Sequence, residues 1–454
     1  MSTPSPVAPD ANGRPHRWQR YPKYKLSGVE WLGEVPEGWE NKKIKYVSSL
    51  NSDALGEDTP LNYELKYVDI SSVDSVKGII QTEDFIFEKA PSRARRKVQN
   101  GDIIISTVRT YLKAIAPIIN PEPNLIVSTG FAVIHPIKDL QSHFASFAFT
   151  APYFIENVVA NSTGVSYPAI NASEIGNMKI TVPPSSEQSA IAAFLDRETA
   201  RIDALIEKKE RQIALLQEKR AALISHAVTK GLNPSVPMKD SGVEWLGDVP
   251  EHYQVLPIKR FIKIRYGLGE PPKELETGLP LLRATNIDQG KIIDEGMVYV
   301  DPNDVPASRD AYLRENEIII VRSGANTGDS TIVPERYVGA VSGYDMVVTV
   351  NKGVPDYFAW QFLTAEIRNL QFGFHKLRAA QPHLNAEELG STLFVIPPQG
   401  EQESISAYIK QKTDRIDSTH LKIFVSITKL HEYRTSIISA AVTGKIDVRQ
   451  EAKA

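Results

Sequence analysis

Two blocks of this sequence occur twice, and both repeats have the same spacing. Ser27 to Trp39 reads SGVEWLGEVPEGW and Ser241 to Tyr253 reads SGVEWLGDVPEHY, with 10 of 13 positions identical at an offset of 241 − 27 = 214 residues. The block PPSSEQSAIAAFLDRETARID, which starts at Pro183, reappears at the same offset as PPQGEQESISAYIKQKTDRID from Pro397. Two repeats with one spacing indicate a tandem duplication. We therefore expect two versions of one architecture, each with a short box, a variable domain and a repeated helix.

The second repeated block predicts an amphipathic helix in both copies. Pro183-Pro184 ends a preceding strand, Ser185 can act as the cap, and Gln188 three residues later completes a capping-box pattern. Apolar residues then recur at the 3–4 spacing of one helix face, and the second copy keeps this stripe. The pattern predicts one long helix in each half of the chain.

Such a helix needs a partner for its apolar face. From about residue 186 to 228 it would extend roughly 65 Å at ~1.5 Å per residue, which is too long for one small domain to cover. We expect it to pair with its own copy as an antiparallel coiled coil, and the alternative is that each helix packs only on its own domain. The expected contacts between the helices are Ile191, Leu195, Ile202, Ile213, Leu216, Ile405, Ile409, Ile416, Ile427 and Leu430.

The segments between the repeated blocks, about 40–182 and 254–396, have diverged almost completely. Short β-branched runs alternate with polar loops, and the stretches His143 to Asn161 and Tyr357 to Phe372 each predict an aromatic-rich helix. The predicted fold class is α+β, with two mixed α/β domains in a pseudo-two-fold arrangement, separated by the two long helices. The predicted boundaries are a flexible tail 1–20, the first domain with its box 21–184, a helix 185–232, the second domain with its box 233–398, a helix 399–446 and a tail 447–454.

Composition and missing motifs exclude most catalytic chemistry. The chain has no cysteine, which removes disulfides, thiolate metal sites and cysteine nucleophiles. It also lacks an adenine-methyltransferase [DNS]-P-P-[FYW] motif, a G-x-x-x-x-G-K-[ST] phosphate loop and paired histidines at metal-ligand spacing. No apolar run approaches the roughly 20 residues of a membrane span, and the first residues do not resemble a signal peptide. We expect a cytoplasmic protein without catalytic residues, a metal site or a cofactor of its own.

Several of these motifs together carry a family resemblance. The box PKYKLSGVEWLGEVPEGW, the segment GDIIISTVRTYL, the loop STGVSYPAI and the duplicated helix start IxxPPxxEQxxI, with RID and AVTKG downstream, resemble specificity subunits of Type I restriction-modification enzymes. The resemblance covers the chain from about residue 21 to 446.

The resemblance implies a division of labour with other subunits. Each variable segment would be a target-recognition domain for one half of a bipartite, asymmetric site in double-stranded DNA. The helix pair would set the spacer length and dock two modification subunits, which bind S-adenosylmethionine and methylate adenine. Restriction subunits would add the ATP- and Mg-dependent motor and nuclease. The present chain would be non-catalytic.

DNA binding by this chain requires local positive charge, because its net charge is −3. Arginine suits guanine, and asparagine or glutamine suits adenine, when loops present these side chains to the major groove. Arg109 and Arg322 fall in matching loops of the two domains. The candidate DNA-binding residues are Arg93, Arg95, Arg96, Lys97, Arg109, Tyr111, Lys113, Asn161, Ser166, Tyr167, Arg322, Ser323, Asn326, Thr327, Lys376, Arg378 and Gln381. For each residue alone, an ordinary loop contact or a solvated surface charge is the competing interpretation.

A protein–protein scaffold built on the helix pair is the alternative function. It would explain the duplicated blocks. It would not explain why the two domains diverge while both keep polar loops that carry Arg, Asn and Gln.

Overall fold

The repeated blocks that start at Pro183 and Pro397 each form one long, continuous helix. The computed structural model describes residues 18–29, 31–74, 77–137, 139–164, 166–270, 272–373 and 383–451. Its helices are α1 (Ile44–Val47), α2 (Ser142–Thr150), α3 (Pro152–Ala160), α4 (Ala172–Asn177), α5 (Ser185–Lys230), α6 (Pro355–Phe362), α7 (Ala386–Ser391) and α8 (Gln399–Val442). Helices α5 and α8 contain 46 and 44 residues. The two long helices predicted from the apolar spacing are therefore confirmed.

The strands are short and occur in both domains. In the first half of the chain they are β1 (Tyr24–Leu26), β2 (Glu34–Pro36), β3 (Glu40–Lys43), β4 (Ser48–Leu50), β5 (Glu64–Val68), β6 (Val73–Asp74), β7 (Gly78–Ile79), β8 (Glu83–Ile86), β9 (Ala94–Lys97), β10 (Ile103–Ser106), β11 (Ile115–Pro117), β12 (Leu125–Ser128), β13 (Phe131–Pro136) and β14 (Lys179–Val182). In the second half they are β15 (Met238–Asp240), β16 (Asp248–Pro250), β17 (Gln254–Pro257), β18 (Ile262–Tyr266), β19 (Leu279–Leu282), β20 (Ile287–Asp288), β21 (Lys291–Ile292), β22 (Val298–Val300), β23 (Ile318–Ile320), β24 (Ser330–Ile332), β25 (Val341–Ser342), β26 (Met346–Val350) and β27 (Leu393–Ile396).

The chain divides into two compact units, and each unit takes a part of both long helices. The first unit comprises Met1–Lys209 and Phe424–Ala454, and the second comprises Glu210–Ile423. Each unit therefore contains one box, one variable domain, one end of α5 and the opposite end of α8. Each unit thus contains one copy of every duplicated element, although its two helix segments come from different helices.

The helices pair within each unit in opposite directions. In the first unit Ile191 and Ile202, from the first half of α5, share a buried core with Ile437 near the end of α8. In the second unit Ile224, near the end of α5, shares a core with Ile405 near the start of α8. The antiparallel pairing is confirmed, and the alternative in which each helix packs only on its own domain is wrong. The pseudo-two-fold relation between the domains stays a prediction.

An ion pair between the helices repeats with the sequence. In the first unit Arg434 Nε lies 2.9 Å from Asp203 Oδ1, and in the second Arg220 Nε lies 3.8 Å from Asp417 Oδ1. Both partners are related by the duplication, because 434 − 220 and 417 − 203 are each 214. The aspartate of the repeated RID sequence therefore marks equivalent points on the two helices.

The two domains have one sheet in common. Its strand order is β11-β10-β13-β4 in the first domain and β24-β23-β26-β18 in the second. Strands β10 and β23 occupy equivalent positions, and each is antiparallel to both of its neighbours. The isoleucines of β10 and β23 are fully buried. A second sheet follows the order β8-β5-β12-β9 in the first domain and β22-β19-β25 in the second, and each contains one parallel pair, β5 with β12 and β19 with β25. The predicted mixed α/β domains are thus confirmed.

Each repeated box packs where the ends of the two helices meet. Trp39 Nε1 donates a hydrogen bond to Glu187 Oε2 at 3.0 Å, and the equivalent Tyr253 hydroxyl donates to Glu401 Oε2 at 2.8 Å. Gly444 beyond α8 has φ +71°, and a Cβ there would lie 2.4 Å from the Cδ of Pro36, so the box and the helix end require a glycine. The two repeated blocks therefore contact each other in both units.

Gln188 has a different role from the predicted cap. It is fully buried, its Nε2 donates to the carbonyl oxygens of Asp139 (2.6 Å) and Pro183 (2.8 Å), and its Oε1 accepts from the backbone N–H of Gln141 at 2.8 Å. Gln402 in the second copy accepts from the backbone N–H of Val354 at 2.9 Å. The capping-box prediction is therefore wrong, because the glutamine joins the start of the helix to the backbone of its domain.

The aromatic-rich stretches are interrupted, contrary to the prediction. Residues 143–161 form two helices, α2 and α3, because Ala151 adopts an extended conformation (ψ 139°) before Pro152. In the second domain α6 ends at Phe362, and a π-helical segment follows at Glu366–Gln371.

The predicted tails are shorter than expected. Trp18 packs edge-on against Phe194 with ring centroids 4.9 Å apart, and the backbone N–H of Asp447 donates to the carbonyl oxygen of Gln19 at 2.7 Å. Val448 is fully buried in the core of the first unit. These contacts hold residues 18–20 and 447–451 on the first unit, so neither the flexible tail predicted for residues 1–20 nor the tail predicted for 447–454 includes them.

Within the described part of the chain, no helix combines the length and the apolar character that a membrane crossing requires.

Candidate nucleic-acid interface

The loops that follow β10 and β23 occupy the same position in the two domains. The backbone N–H of Ile170 donates to the carbonyl oxygen of Thr107 at 2.9 Å, and that of Leu384 donates to the carbonyl oxygen of Arg322 at 2.8 Å. An isolated bridge accompanies each contact, Val108 with Ala169 and Ser323 with His383. Each domain therefore places an arginine, Arg109 or Arg322, where a buried strand ends and a second loop crosses it.

Arg322 lies in an aromatic cage formed by Tyr266 and Tyr344. Its guanidinium carbon is 4.6 Å from the ring centroid of Tyr266 and 4.2 Å from that of Tyr344. Its Nη2 is 3.2 Å from Nε2 of His383, which puts these atoms within hydrogen-bond distance. Cation–π contacts of this kind stabilise a guanidinium and fix its position.

A buried acid lies directly beneath this cage. Asp345 Oδ1 accepts a hydrogen bond from the backbone N–H of Arg322 at 3.2 Å. Burial raises the pKa of the Asp345 carboxyl to about 6, against the lowering effects of this hydrogen bond and of the Arg322 charge. The acid fixes the backbone of the loop that carries Arg322.

Arg109 is held by one ring. Its guanidinium carbon is 5.3 Å from the ring centroid of Tyr167, and its backbone is left-handed at φ 53°. The hydroxyl of Thr110 donates to Ser162 Oγ at 2.8 Å, so the loops 107–113 and 161–168 are joined. The structure thus brings together two loops that the sequence predicted separately. Tyr111, Lys113, Ser166 and Tyr167 are exposed on them.

Other candidates in these loops are already engaged. Asn161 Nδ2 donates to the carbonyl and side-chain oxygens of Asn157, both at 2.8 Å, and Asn326 Nδ2 donates to the carbonyl oxygen of Ala284 at 3.2 Å. Thr327 is buried and its hydroxyl donates to the carbonyl oxygen of Gly324 at 2.7 Å. Thr327 is thus less accessible than the other candidates of its loop, and its contact with DNA stays a prediction.

The basic run 93–97 does not form one continuous charged surface. Arg95 packs over the ring of Phe87 at 4.5 Å, and Lys97 Nζ lies 3.3 Å from Asp53 Oδ1. Arg96 is half-buried, and burial lowers the pKa of its guanidinium. Arg93 is exposed, and its carbonyl oxygen accepts from the N–H of Thr129 beside the Thr107 loop. Arg93 is therefore connected through the turn at Thr129–Gly130 to the loop of Arg109, because the N–H of Thr107 donates to the carbonyl oxygen of Gly130.

The remaining predicted residues are three DNA-binding candidates and the expected contacts between the helices. Lys376, Arg378 and Gln381 lie outside the described residues. Of the expected helix contacts, Ile191, Leu195, Ile202, Ile405, Ile409, Ile416 and Leu430 are buried, whereas Ile213, Leu216 and Ile427 are half-buried.

Sequence reasoning missed Tyr266, Tyr344, Asp345 and His383. Tyr266 stands before Gly267 at the end of a strand and Tyr344 follows Gly343, and aromatic residues beside glycine at strand ends are the only local signal. These residues come from three distant segments, so no spacing in the sequence pairs them with Arg322. No cluster of metal-binding side chains occurs among the residues that the structure describes.

The tandem duplication and the equivalent arginine loops define a class of protein with two related domains, each packed on parts of both long helices. Comparison with known proteins identifies the family. The chain belongs to the family of Type I restriction modification DNA specificity domains, because the family model matches residues 36–215 and 285–429.

Individual relatives cover almost the whole chain at low identity. The Type I restriction enzyme EcoKI specificity subunit of Escherichia coli K12 is 20% identical over 444 residues, which are 93% of this chain and 92% of the relative. The MjaIX specificity subunit of Methanocaldococcus jannaschii is 21% identical over 438 residues, 92% of this chain and 96% of the relative. A chain solved in work on complex assembly and conformational transition of the type I R-M system superposes with a TM-score of 0.65 at 20% identity, covering 90% of this chain and 98% of that chain. This structural likeness supports the fold.

Proposed function

We propose that this chain is the DNA-reading subunit of a Type I restriction-modification complex, in which each domain reads one half of a bipartite, asymmetric site. The observation that carries the proposal is the duplicated arginine loop: Arg109 and Arg322 lie in loops that follow equivalent buried strands, and each contacts a tyrosine ring. Loops on a rigid sheet suit base reading, because the scaffold fixes where each side chain lies. Divergence between the two domains then gives two different half-sites.

The helix pair is proposed to set the spacer between the half-sites. Within each unit the domain shares a buried core with both helices, and the repeated Arg–Asp ion pair joins the two helices to each other. Half-site spacing in DNA-binding proteins follows from the geometry that holds two reading elements apart. A helix pair of fixed length therefore selects a spacer length.

The same helices are proposed to dock two modification subunits, and through them restriction subunits. In both units α5 and α8 expose large apolar side chains, among them Leu215, Leu421 and Phe424. Exposed apolar groups on a charged helix are typical of protein–protein interfaces. Methylation with S-adenosylmethionine and ATP- and Mg-dependent cleavage would take place on those partners, in the cytoplasm, and the present chain would choose the site without catalysis.

The test is the methylation pattern of a host that carries the full-length chain with its modification subunit. We expect one bipartite N6-methyladenine motif to appear with the gene and to disappear without it. Binding of random-sequence DNA by the purified complex without sequence preference would contradict the proposal and favour the protein–protein scaffold.

A further inference from the structure

We propose that Arg322 reads a guanine in the half-site bound by the second domain, and that Tyr266, Tyr344 and His383 are positioning residues that hold its guanidinium for this contact. The inference rests on the proposed function. It adds the chemical identity of one base and the residues that determine it.

The cage restricts the guanidinium to one approach. Two tyrosine rings lie within 5 Å of its central carbon, and the Nε atom is buried without a hydrogen-bond partner in the structure. The edge that can meet a ligand is therefore the one formed by Nη1 and Nη2. Nη2 has two N–H groups, so one can donate to Nε2 of His383, 3.2 Å away, while the other points to a ligand.

A planar edge with two parallel donors matches guanine. In the major groove guanine presents O6 and N7 as adjacent acceptors, and a bidentate arginine is the most common specific contact to this pair. A phosphate also accepts two donors from arginine, but a contact to the mobile backbone of DNA does not need a guanidinium fixed by three side chains. Because three side chains fix the guanidinium of Arg322, a base is favoured over a phosphate as its ligand.

The first domain provides the comparison. Arg109 occupies the equivalent loop but is exposed and contacts one ring, that of Tyr167, at 5.3 Å. Its orientation is less restricted than that of Arg322. The two half-sites are accordingly read by loops of one origin and different rigidity.

The experiment selects random duplex DNA with the full-length chain in complex with its modification subunit, followed by sequencing. Arg322→Lys keeps the charge and removes the planar fork. We expect this variant to lose about 10- to 100-fold of the preference for one guanine in one half-site, the range for a bidentate base contact. The other half-site should be unchanged, which also shows that the variant is folded. Arg109→Lys is the matched control and should leave the guanine preference in that half-site intact.

A second pair of variants tests the cage. Tyr344 is 48% exposed, so replacing it should not unfold the domain. Tyr344→Phe keeps the ring and should retain the guanine preference, whereas Tyr344→Leu removes the ring and should reduce it. Equal preference in both variants would overturn the positioning role.

The outcomes separate this inference from the proposed function. A wild-type complex that selects no bipartite motif would refute both. A bipartite motif whose guanine preference survives Arg322→Lys would overturn the guanine contact and leave the proposed function standing. A phosphate contact would give a different result and would also overturn the inference. In that case Arg322→Ala would lower the affinity for all DNA sequences equally and reduce the salt dependence of binding by about one charge, whereas Arg322→Lys would bind like the wild type.

Discussion

At the scale of single residues, an acidic side chain directly precedes or adjoins the start of β10 and of β23, and it contacts a different side chain in each domain. Asp102 accepts from the backbone N–H of Gln99 at 2.8 Å and lies 2.7 Å from His135 Nδ1. Glu317 accepts from the backbone N–H of Arg314 at 2.9 Å and pairs with the guanidinium of Arg265. The shared feature is the closed turn before the strand, because both acids accept a backbone N–H three residues upstream. These acids stabilise the turn before the strand, whereas the loops proposed to bind DNA follow the other end of the same strands.

Gln188→Leu should destabilise the first unit by about 3 kcal/mol. The change removes the partner of the buried Pro183 carbonyl and of two partly buried groups, the Asp139 carbonyl and the Gln141 N–H. A buried unsatisfied group costs about 1–3 kcal/mol, and the apolar side chain offsets a part of the loss. The free energy of unfolding from urea titration measures the effect. Ser186→Ala, at an exposed position two residues earlier, is the control and should change it by less than about 0.5 kcal/mol. Equal stability of the two variants would show that Gln188 does not join helix and domain.

Asp345→Asn should change how the stability of the second domain depends on pH. The folded pKa of Asp345 is about 6, above the ordinary value of 3.8, so the native state binds the proton more tightly than the unfolded state. Its contribution to stability is full below about pH 3.8 and is lost as the pH rises through about 6. The asparagine still accepts from the N–H of Arg322 and does not titrate. At pH 7.5 it should be more stable than the wild type by about 1–3 kcal/mol.

Hydrogen exchange in Met346–Val350, measured at pH 5 and 7.5 and corrected for the intrinsic rate, reports this difference. The wild type should lose local stability between the two values and the variant should not. A parallel loss in both proteins would assign the pH dependence to another group.

At the scale of elements, the two long helices are not buried evenly. Ile191, Leu195 and Ile202 are fully buried, whereas Ile213 and Leu216 further along α5 are half-buried. The buried positions pack against domain and partner helix together, and they belong to the large cores of their unit. Stability of the pairing is therefore concentrated where domain, box and both helices meet.

The Asp203–Arg434 ion pair should contribute about 0.5 kcal/mol to the helix pairing. Arg434 donates to both carboxylate oxygens, at 2.9 and 3.3 Å, but Asp203 is about half exposed, and pairs exposed to solvent are worth at most about 1 kcal/mol. A double-mutant cycle with Asp203→Ala and Arg434→Ala measures the coupling. The pair Asp417 and Arg220, with its longer distance of 3.8 Å, is the matched comparison and should couple more weakly. Coupling above about 2 kcal/mol would contradict the view that apolar contacts dominate the pairing.

At the scale of the whole molecule, the charge and the duplication set different properties. A net charge of −3 gives no general attraction to DNA, so the proposed binding requires local groups, for which we propose Arg93, Lys113 and the two arginine loops. The duplication gives each unit parts of both helices, and a change in helix length has to be made in both to keep the pairing in each unit.

Insertion of one heptad into both helices, after Lys209 and after Ile423, should lengthen the tolerated spacer and leave both half-sites unchanged. Seven residues add about 10 Å at ~1.5 Å per residue, which corresponds to roughly 3 base pairs at ~3.4 Å each. Methylation motifs determined by sequencing give the spacer. Insertion into α5 alone is the control and should weaken methylation, because the helices then differ in length. An unaltered spacer in the double insertion would refute the proposal that the helices measure it.

The extent of prediction differed between these scales. Four features could be predicted: the repeat, the two long helices, their antiparallel pairing and the mixed domains. The 214-residue offset is found by comparing the sequence with itself, and the apolar period is visible within a short segment. Where the prediction was wrong, tertiary contacts replaced a local rule: Gln188 binds its domain instead of capping, and Val448 is buried instead of lying in a tail.

The amino-acid sequence by itself determined the duplicated frame, the family resemblance and the position of Arg109 and Arg322 in matching loops. Only the tertiary structure decided how those arginines are held. The rings of Tyr266 and Tyr344, the imidazole of His383 and the carboxyl of Asp345 come from strand ends and loops far apart in the chain. Their convergence depends on sheet pairing between distant strands, and no periodicity or spacing in the sequence encodes which strand ends become neighbours.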